Sequence, residues 1–164
     1  MSDRPGSCNR QTANLAAVLK YAETLGHRKR GSNPAKGLQR GRRPKMTRYL
    51  NATEYRRLEL RLGEFGNEKF AAMIRLYIHT GARKGELVKL AWKDVSARHL
   101  DLRDSKTGPK PILLSDAALR ILSNLDRGQP NDLVFRSESG EPLDLAKIWN
   151  QFRAFAGLPD VRLH

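Results

Sequence analysis

Residues 27–48 divide the chain into two parts of unequal length, and this division limits the folds open to it. Glycine and proline recur through the segment among basic side chains, at Gly31, Pro34, Gly37, Gly41 and Pro44. Because both residues interrupt helices and strands, the composition predicts an extended, solvated linker. The 26 residues before it can hold one helix, whereas the 116 residues after it suffice for one domain.

Residues 9–25 are predicted to form that single helix. Apolar side chains recur there at helical spacing, namely Leu15, Val18, Leu19, Ala22 and Leu25. Gly26 then ends the pattern. A lone amphipathic helix cannot bury its own apolar stripe, so residues 1–26 are expected to belong to a larger helical domain.

Basic residues are concentrated in the first third of the chain. Residues 1–48 hold 12 Lys and Arg against 2 Asp and Glu, whereas residues 49–164 hold 19 against 15. The densest run comprises Arg40, Arg42, Arg43, Lys45 and Arg48. This surplus predicts a polyanionic partner, because neutralising phosphates releases condensed counterions. The run lacks the apolar face of an interfacial helix, so nucleic acid is favoured over a membrane surface.

Helix-end signals place the start of the main domain near residue 49. Asn51 is a suitable N-cap, and Glu54 lies three residues later, where it can complete a capping box. A second apolar stripe at helical spacing covers residues 70–78 and stops at Gly81. Two helices of the main domain are therefore predicted before the middle of the chain.

The remaining pattern predicts three more helices and one hairpin. A short helix covers residues 83–90, and residues 100–102 and 112–114 form two strands around a Gly-Pro turn. Ser115 and Asp144 cap the last two helices. The final helix carries an apolar stripe of Leu145, Ile148, Trp149, Phe152 and Phe155. The expected fold class is mainly α with a small antiparallel β-hairpin (α+β).

Composition gives no sign of a cofactor, a metal or a membrane span. Cys8 is the only cysteine, and the histidines show no ligand spacing. No run approaches the ~18 apolar residues of a membrane helix. Residues 1–10 lack the apolar stretch of a secretory signal. We therefore expect a cytoplasmic protein.

Three positions are candidates for chemistry on a phosphate. Arg83 follows Gly81 at the start of the short helix, and Glu86 lies one turn later, where it can orient the guanidinium. Lys106 occupies the hairpin tip, from which it can reach a groove or protonate an oxygen. His164 is the last residue. Each has a plainer alternative: a surface ion pair, hairpin solubility and an ordinary terminal histidine.

Taken in order, these segments resemble the tyrosine recombinases, the phage integrase family. Residues 80–94 read Thr-Gly-Ala-Arg-x-x-Glu-Leu-x-x-Leu-x-Trp-x-Asp and are similar to the family's first arginine box. Lys106 falls where the family keeps its catalytic lysine, and the approach to His164 is similar to the run into its His-x-x-Arg box. Residues 33–54 resemble the junction between the core-binding and catalytic domains.

The resemblance implies site-specific DNA recombination by phosphoryl transfer without a metal or cofactor. A tyrosine of the family forms a 3′-phosphotyrosyl link, and positive side chains stabilise the charge on the phosphoryl oxygens. Arg83 would be the first of two such arginines, supported by Glu86. Lys106 would protonate the departing 5′ oxygen, and His164 would be the acid/base histidine. The implied partners are the duplex attachment or core site and a tetrameric synapse, with no small-molecule substrate.

The chain also departs from the family pattern. The second arginine and the tyrosine nucleophile belong after His164, while Tyr21, Tyr49, Tyr55 and Tyr77 all precede the arginine box. We expect a fragment truncated at both ends. Residues 1–26 would be a remnant of a helical, SAM-like core-binding domain, residues 27–48 a basic linker, and residues 49–164 a partial catalytic domain.

Two functions from different classes remain open. The chain is expected to be the DNA-binding fragment of a recombinase that does not itself cleave, or a non-catalytic decoy or regulator. A type IB topoisomerase shares the chemistry but fits the linker and the size less well. Because the missing helices would leave part of the stripe of Leu145, Trp149 and Phe152 uncovered, we also expect marginal stability or aggregation.

Overall fold

The computed structural model describes residues 5–39, 41–42, 47–102, 108 and 110–163. The chain divides into two compact units, residues 1–47 and residues 48–164. None of the described helices has the length and apolar content needed to cross a bilayer.

The N-terminal unit is one helix with the following chain hydrogen-bonded along it. Helix α1, Pro5–Thr24, begins four residues before the predicted start. The Asn33 side chain donates to the Ala16 carbonyl at 2.9 Å, and the Asn33 backbone N–H donates to Glu23 Oε1 at 2.7 Å. Asn9 exchanges two hydrogen bonds with the backbone of Gly41. The described part of residues 27–42 is therefore tied to α1 and contains turns, so the expectation of an extended segment is wrong. Most of its described residues are exposed, as expected for a solvated segment.

The C-terminal unit contains five helices and one two-stranded sheet among its described residues. In chain order they are α2 (Ala52–Glu64), α3 (Glu68–Thr80), α4 (Lys84–Val88), a 3₁₀ turn (Trp92–Asp94), β1 (His99–Leu102), β2 (Lys110–Leu113), α5 (Asp116–Ser123) and α6 (Leu145–Phe155). The strands are antiparallel, with Leu100 opposite Ile112. The mainly α fold with a small antiparallel hairpin is confirmed.

The predicted helix caps are present in the structure. Asn51 Oδ1 accepts from Glu54 N while Glu54 Oε2 accepts from Asn51 N, which completes the capping box of α2. Ser115 and Asp144 likewise accept from the third residue of α5 and α6. Gly81 ends α3 in the left-handed region at φ 61°. Each cap sets where a helix begins or ends, and hence where the next segment starts.

One apolar core lies beneath α2, α3, α5 and α6. Phe70 and Phe152 are fully buried, and their ring centroids lie 5.4 Å apart. Trp149 is only 6% exposed and Leu145 only 8%. The expectation that the stripe of Leu145, Trp149 and Phe152 is left uncovered is therefore wrong. Within this unit the rings of Phe65 and Phe70 contact Phe152.

Candidate nucleic-acid interface

The turn between α3 and α4 presents an arginine to solvent. Gly81 adopts a φ of 61°, which is costly for residues with a Cβ, and it redirects the chain at the end of α3. Ala82 is buried beside the core and anchors the turn. Arg83 follows in an extended conformation and immediately precedes α4. The turn therefore fixes the backbone of Arg83 between two helices.

Glu86 holds Arg83 by both its backbone and its side chain. Glu86 Oε2 accepts from the Arg83 backbone N–H at 2.8 Å, and Glu86 Oε1 accepts from Arg83 Nη1 at 2.9 Å. The Glu86 side chain is 12% exposed, whereas that of Arg83 is 56% exposed. The carboxylate is thus a largely buried anchor, whereas more than half of the Arg83 side chain is exposed to solvent, where it can meet an anion.

Several predicted site residues cannot be placed. Lys106, His164, Arg40, Arg43 and Lys45 all lie outside the described residues. Arg42 is described, and its side chain is exposed. The structure therefore brings together Arg83 and Glu86, and it gives no geometry for the other two predicted catalytic positions.

Arg48, predicted to contact DNA, lies between two carboxylates in the structure. Its Nη2 donates to Glu54 Oε1 at 2.6 Å, and its Nε donates to Asp160 Oδ2 at 2.5 Å. The hydrogen bonds from Arg48 hold the pKa of both carboxyl groups below their ordinary values. The same two partners raise the pKa of Arg48. We call this three-residue arrangement the Arg48 clasp; it joins the start of the C-terminal unit to the segment after α6.

Sequence reasoning did not identify Asp160 as a partner of Arg48. The two residues are 112 positions apart, and nothing in the local sequence of either indicates the other. A further basic group was also missed. Lys84, Arg153 and Arg162 line one groove although they come from three separate segments.

No metal site is visible in the part of the chain that the structure describes. There, no group of three or more His, Cys, Asp or Glu side chains could hold an ion. The arrangement at Arg83 is cationic, so its direct ligands are anions.

Comparison with known proteins gives sequence similarity over part of the chain and fold similarity over nearly all of it. No protein-family model matches the chain. The integrase of Escherichia phage HK022 is 30% identical over 94 residues, which cover 51% of this chain and 26% of that protein.

Solved structures of recombinases share the fold over nearly the whole chain. A lambda integrase tetramer bound to a Holliday junction has a TM-score of 0.75 at 20% identity, covering 99% of this chain and 50% of that one. A lambda integrase dimer bound to a COC′ core site, residues 75–356, gives 0.72 at 20% identity, covering 98% and 60%. The XerA recombinase gives 0.55 at 22% identity, covering 93% and 55%. The chain thus spans a quarter to three fifths of the length of these relatives.

Proposed function

We propose that this chain, which belongs to the tyrosine recombinase (phage integrase) family, is a DNA-binding part of a site-specific recombinase. The observation that carries the proposal is the anchored, solvent-facing Arg83 at the α3–α4 turn. Its natural ligand is a phosphodiester of duplex DNA. The attachment or core site and a DNA-bound oligomer of the kind formed by lambda integrase are part of the same proposal.

The chemistry of Arg83 suits a phosphate whose charge increases during reaction. A guanidinium stays charged at all accessible pH values and offers a planar fork of donors that matches two phosphate oxygens. Glu86 occupies one edge of that fork through Nη1, which restricts the rotation of the side chain. A preorganised donor of this kind stabilises phosphoryl transfer more than a freely moving one does.

The basic N-terminal segment supplies the sequence-independent part of binding. Residues 1–48 carry a net charge of +10. Each phosphate neutralised releases counterions, so the affinity should fall with log salt at a slope of about 0.9 per contact. Arg40, Arg42, Arg43 and Lys45 remain our candidates for these contacts. Arg48 is a weaker candidate, because two carboxylates already surround its guanidinium.

We propose that the chain binds DNA without cutting it. The family's nucleophile follows the arginine box in sequence, and every tyrosine of this chain precedes that box. A covalent mechanism cannot proceed without its nucleophile. In this proposal Lys106 acts as a general acid, and His164 as an acid/base group, only in a site that also contains the second arginine and the tyrosine nucleophile.

A salt titration with a single substitution tests the role of Arg83. Arg83→Gln should weaken binding to a 30-base-pair duplex about 10- to 100-fold, the range for a charge-assisted hydrogen bond. Arg56→Gln, which removes the same charge from the exposed face of α2, is the matched control and should change affinity less than threefold. An equal loss of affinity in both variants would show that Arg83 contributes only to the overall positive potential of the protein.

An assay for covalent protein–DNA adducts tests the proposal that the chain does not cut DNA. A nicked duplex traps phosphotyrosyl adducts, which are visible as a protein band of raised mass. We expect no such band. An adduct that disappears when one of the four tyrosines is changed to phenylalanine would overturn the non-cleaving role.

The alternative function is a decoy or regulator that occupies recombinase sites. The strongly basic N-terminal segment favours it, because such a segment binds DNA without any catalytic group. Adding the chain to an active recombinase and its own core site should then inhibit recombination at protein concentrations that saturate the duplex. Unchanged recombination at saturation would remove this alternative.

A further inference from the structure

The segment after α6, residues 157–163, is the part of the described chain that leads to His164. It begins at Gly157, whose φ of 66° turns the chain at the end of the helix. The backbone N–H of Leu158 donates to the carbonyl of Arg153 at 2.8 Å, and Leu158 is only 2% exposed. The start of the segment is therefore fixed by the helix and by the core.

Two side chains from other parts of this unit hold the middle of the segment. The indole N–H of Trp149 donates to the carbonyl of Val161 at 3.3 Å. Arg48 Nε donates to Asp160 Oδ2 at 2.5 Å. The first is a long bond between neutral groups, whereas the second is short and joins opposite charges, so the second is the stronger. Of the two, the Arg48 contact should contribute more to the order of the residues before His164.

Arg48 is itself fixed at the start of a helix. Its Nη1 and Nη2 donate to the two carboxylate oxygens of Glu54 at 2.9 and 2.6 Å. Glu54 Oε2 also accepts from the backbone N–H of Asn51 and so belongs to the capping box of α2. The side chains of Arg48 and Glu54 are 30% and 19% exposed. The Arg48 clasp therefore ties the segment after α6 to a rigid element, which is how a precise site is supported.

The exposure of Asp160 indicates a local role for the clasp. The Asp160 side chain is 60% exposed, so water screens its attraction to Arg48. The stability of the whole unit comes mainly from its buried apolar core. A screened contact of this kind changes the opening of a short segment more than the unfolding of a domain.

We propose that Arg48 and Asp160 are positioning residues for His164, which hold the segment after α6 so that the histidine faces the phosphate bound by Arg83. This inference rests on the proposed function, in which Arg83 and His164 belong to one phosphate site. In this proposal neither Arg48 nor Asp160 touches the phosphate, and both act through the backbone that carries His164. Arg48 then has a role other than the DNA contact predicted from its place in the basic run.

Hydrogen exchange tests the positioning role without DNA. The reporter is the Val161 amide, which donates to the Leu158 carbonyl at 3.1 Å. Arg48→Gln and Asp160→Ala should each accelerate its exchange about 3- to 10-fold, as expected for a charge-assisted bond that solvent partly screens. The double variant should show no more than the larger single effect, because both changes remove the same contact. Asp160→Glu keeps the charge and should restore most of the protection.

Arg75→Gln is the matched control. Arg75 also donates through Nε to a carboxylate, that of Glu59, and its side chain is 33% exposed, close to the value for Arg48. The control therefore removes the same charge and the same kind of contact elsewhere in the unit. Exchange at Val161 should change less than about twofold in this variant. Equal acceleration in Arg75→Gln would show a general loss of stability and would overturn the positioning role.

A measurement with DNA separates positioning from stability. The ring-proton resonances of His164, assigned by their absence in His164→Gln, are followed while a 30-base-pair duplex is added. They should shift in the wild-type chain. Asp160→Ala is more positive by one charge and should still bind, yet the shift should shrink to about half or less, because the histidine is no longer held in place. A full shift in Asp160→Ala would show that the clasp does not position His164.

The outcomes separate this inference from the proposed function. If the wild-type chain shows no salt-dependent binding to the duplex, the proposed function fails, and the role for His164 fails with it. If the wild-type chain binds but its His164 resonances do not shift, the histidine does not face the phosphate and only this inference is overturned. The same holds if wild type and Asp160→Ala bind and shift alike.

Discussion

Each unit of the chain is stabilised internally by a different kind of interaction. In the C-terminal unit the largest side chains are inside, and Phe70, Phe135 and Phe152 have no exposed surface. In the N-terminal unit the large apolar side chains face solvent. Leu15, Val18, Tyr21 and Leu25 are each more than half exposed. There the segment after α1 is fixed instead by polar groups, chiefly Asn33 and the buried carboxylate of Glu23.

The difference shows which unit can be stable by itself. Burial of apolar surface is the main favourable term in folding, and each hydrogen bond adds only about 0.5–1.5 kcal/mol net. A helix held by a few polar bonds is therefore expected to open far more readily than a unit with a packed core. The following substitutions test this contrast in order of decreasing effect.

The largest effect should come from the aromatic core of the C-terminal unit. Phe152 contacts the rings of Phe65, Phe70 and Trp149, with centroids 5.3 to 5.6 Å apart. Phe152→Ala should lower the free energy of unfolding by about 3–5 kcal/mol, because it creates a large cavity. Calorimetry measures the change. Phe155→Ala, at a ring that is 45% exposed, is the control and should cost much less.

A smaller effect is expected from the polar contacts of the N-terminal unit. Asn33→Ala removes the bonds to the Ala16 carbonyl and to the Ala35 N–H, and should lower the local opening free energy by about 1–3 kcal/mol. Hydrogen exchange of residues 16–36 should accelerate. The main unfolding transition should not move. Asn14→Ala, at an exposed position of α1, is the matched control, and equal acceleration there would contradict the role given to Asn33.

The Arg48 clasp should give a pH dependence. Hydrogen bonds from Arg48 lower the pKa of Glu54 and Asp160 below their ordinary values of 4.5 and 3.8. Groups with a depressed folded pKa stabilise the protein above their unfolded pKa, and the stabilisation is lost as pH falls through the folded pKa. The difference in melting temperature between wild type and Arg48→Gln should thus be largest above pH 5. It should shrink below pH 4, and parallel curves from pH 3 to 6 would contradict the clasp.

The smallest effect is expected on the exposed face of α1. Val18 is 66% exposed, so Val18→Gln removes little buried surface. Glutamine also has the higher helix propensity, and the net change should be within about 0.5 kcal/mol. Circular dichroism of both proteins should coincide. A marked loss of helix would show that this face of α1 is buried. That result would contradict the difference between the two units.

The caps and stripes of the C-terminal unit could be predicted because their causes are local. Asn51 with Glu54, Ser115, Asp144 and Gly81 each act within about four residues, so a short window contains the whole interaction. The cap of α3 at Asn67 acts in the same way and could have been found.

The features that the sequence did not predict depend on contacts between residues far apart in the chain. The pairing of Arg48 with Asp160 spans 112 positions, so the sequence indicated only an arginine in a basic run. The bonds from Asn33 to α1 were hidden in the same way, because glycine and proline content does not reveal where backbone groups find partners. The groove lined by Lys84, Arg153 and Arg162 forms only where three segments meet, and no spacing of charges along the chain predicts that meeting.

The positions of the two tryptophans make the units optically distinguishable. Trp92 and Trp149 both lie in the C-terminal unit and are 5% and 6% exposed, whereas residues 1–47 contain no tryptophan. Indole emission should therefore be blue-shifted in the folded chain and should report on this unit alone. Far-ultraviolet ellipticity, by contrast, includes the 20 residues of α1. During urea unfolding the two signals should separate, with ellipticity falling first, which turns one unlabelled sample into a measurement of both units.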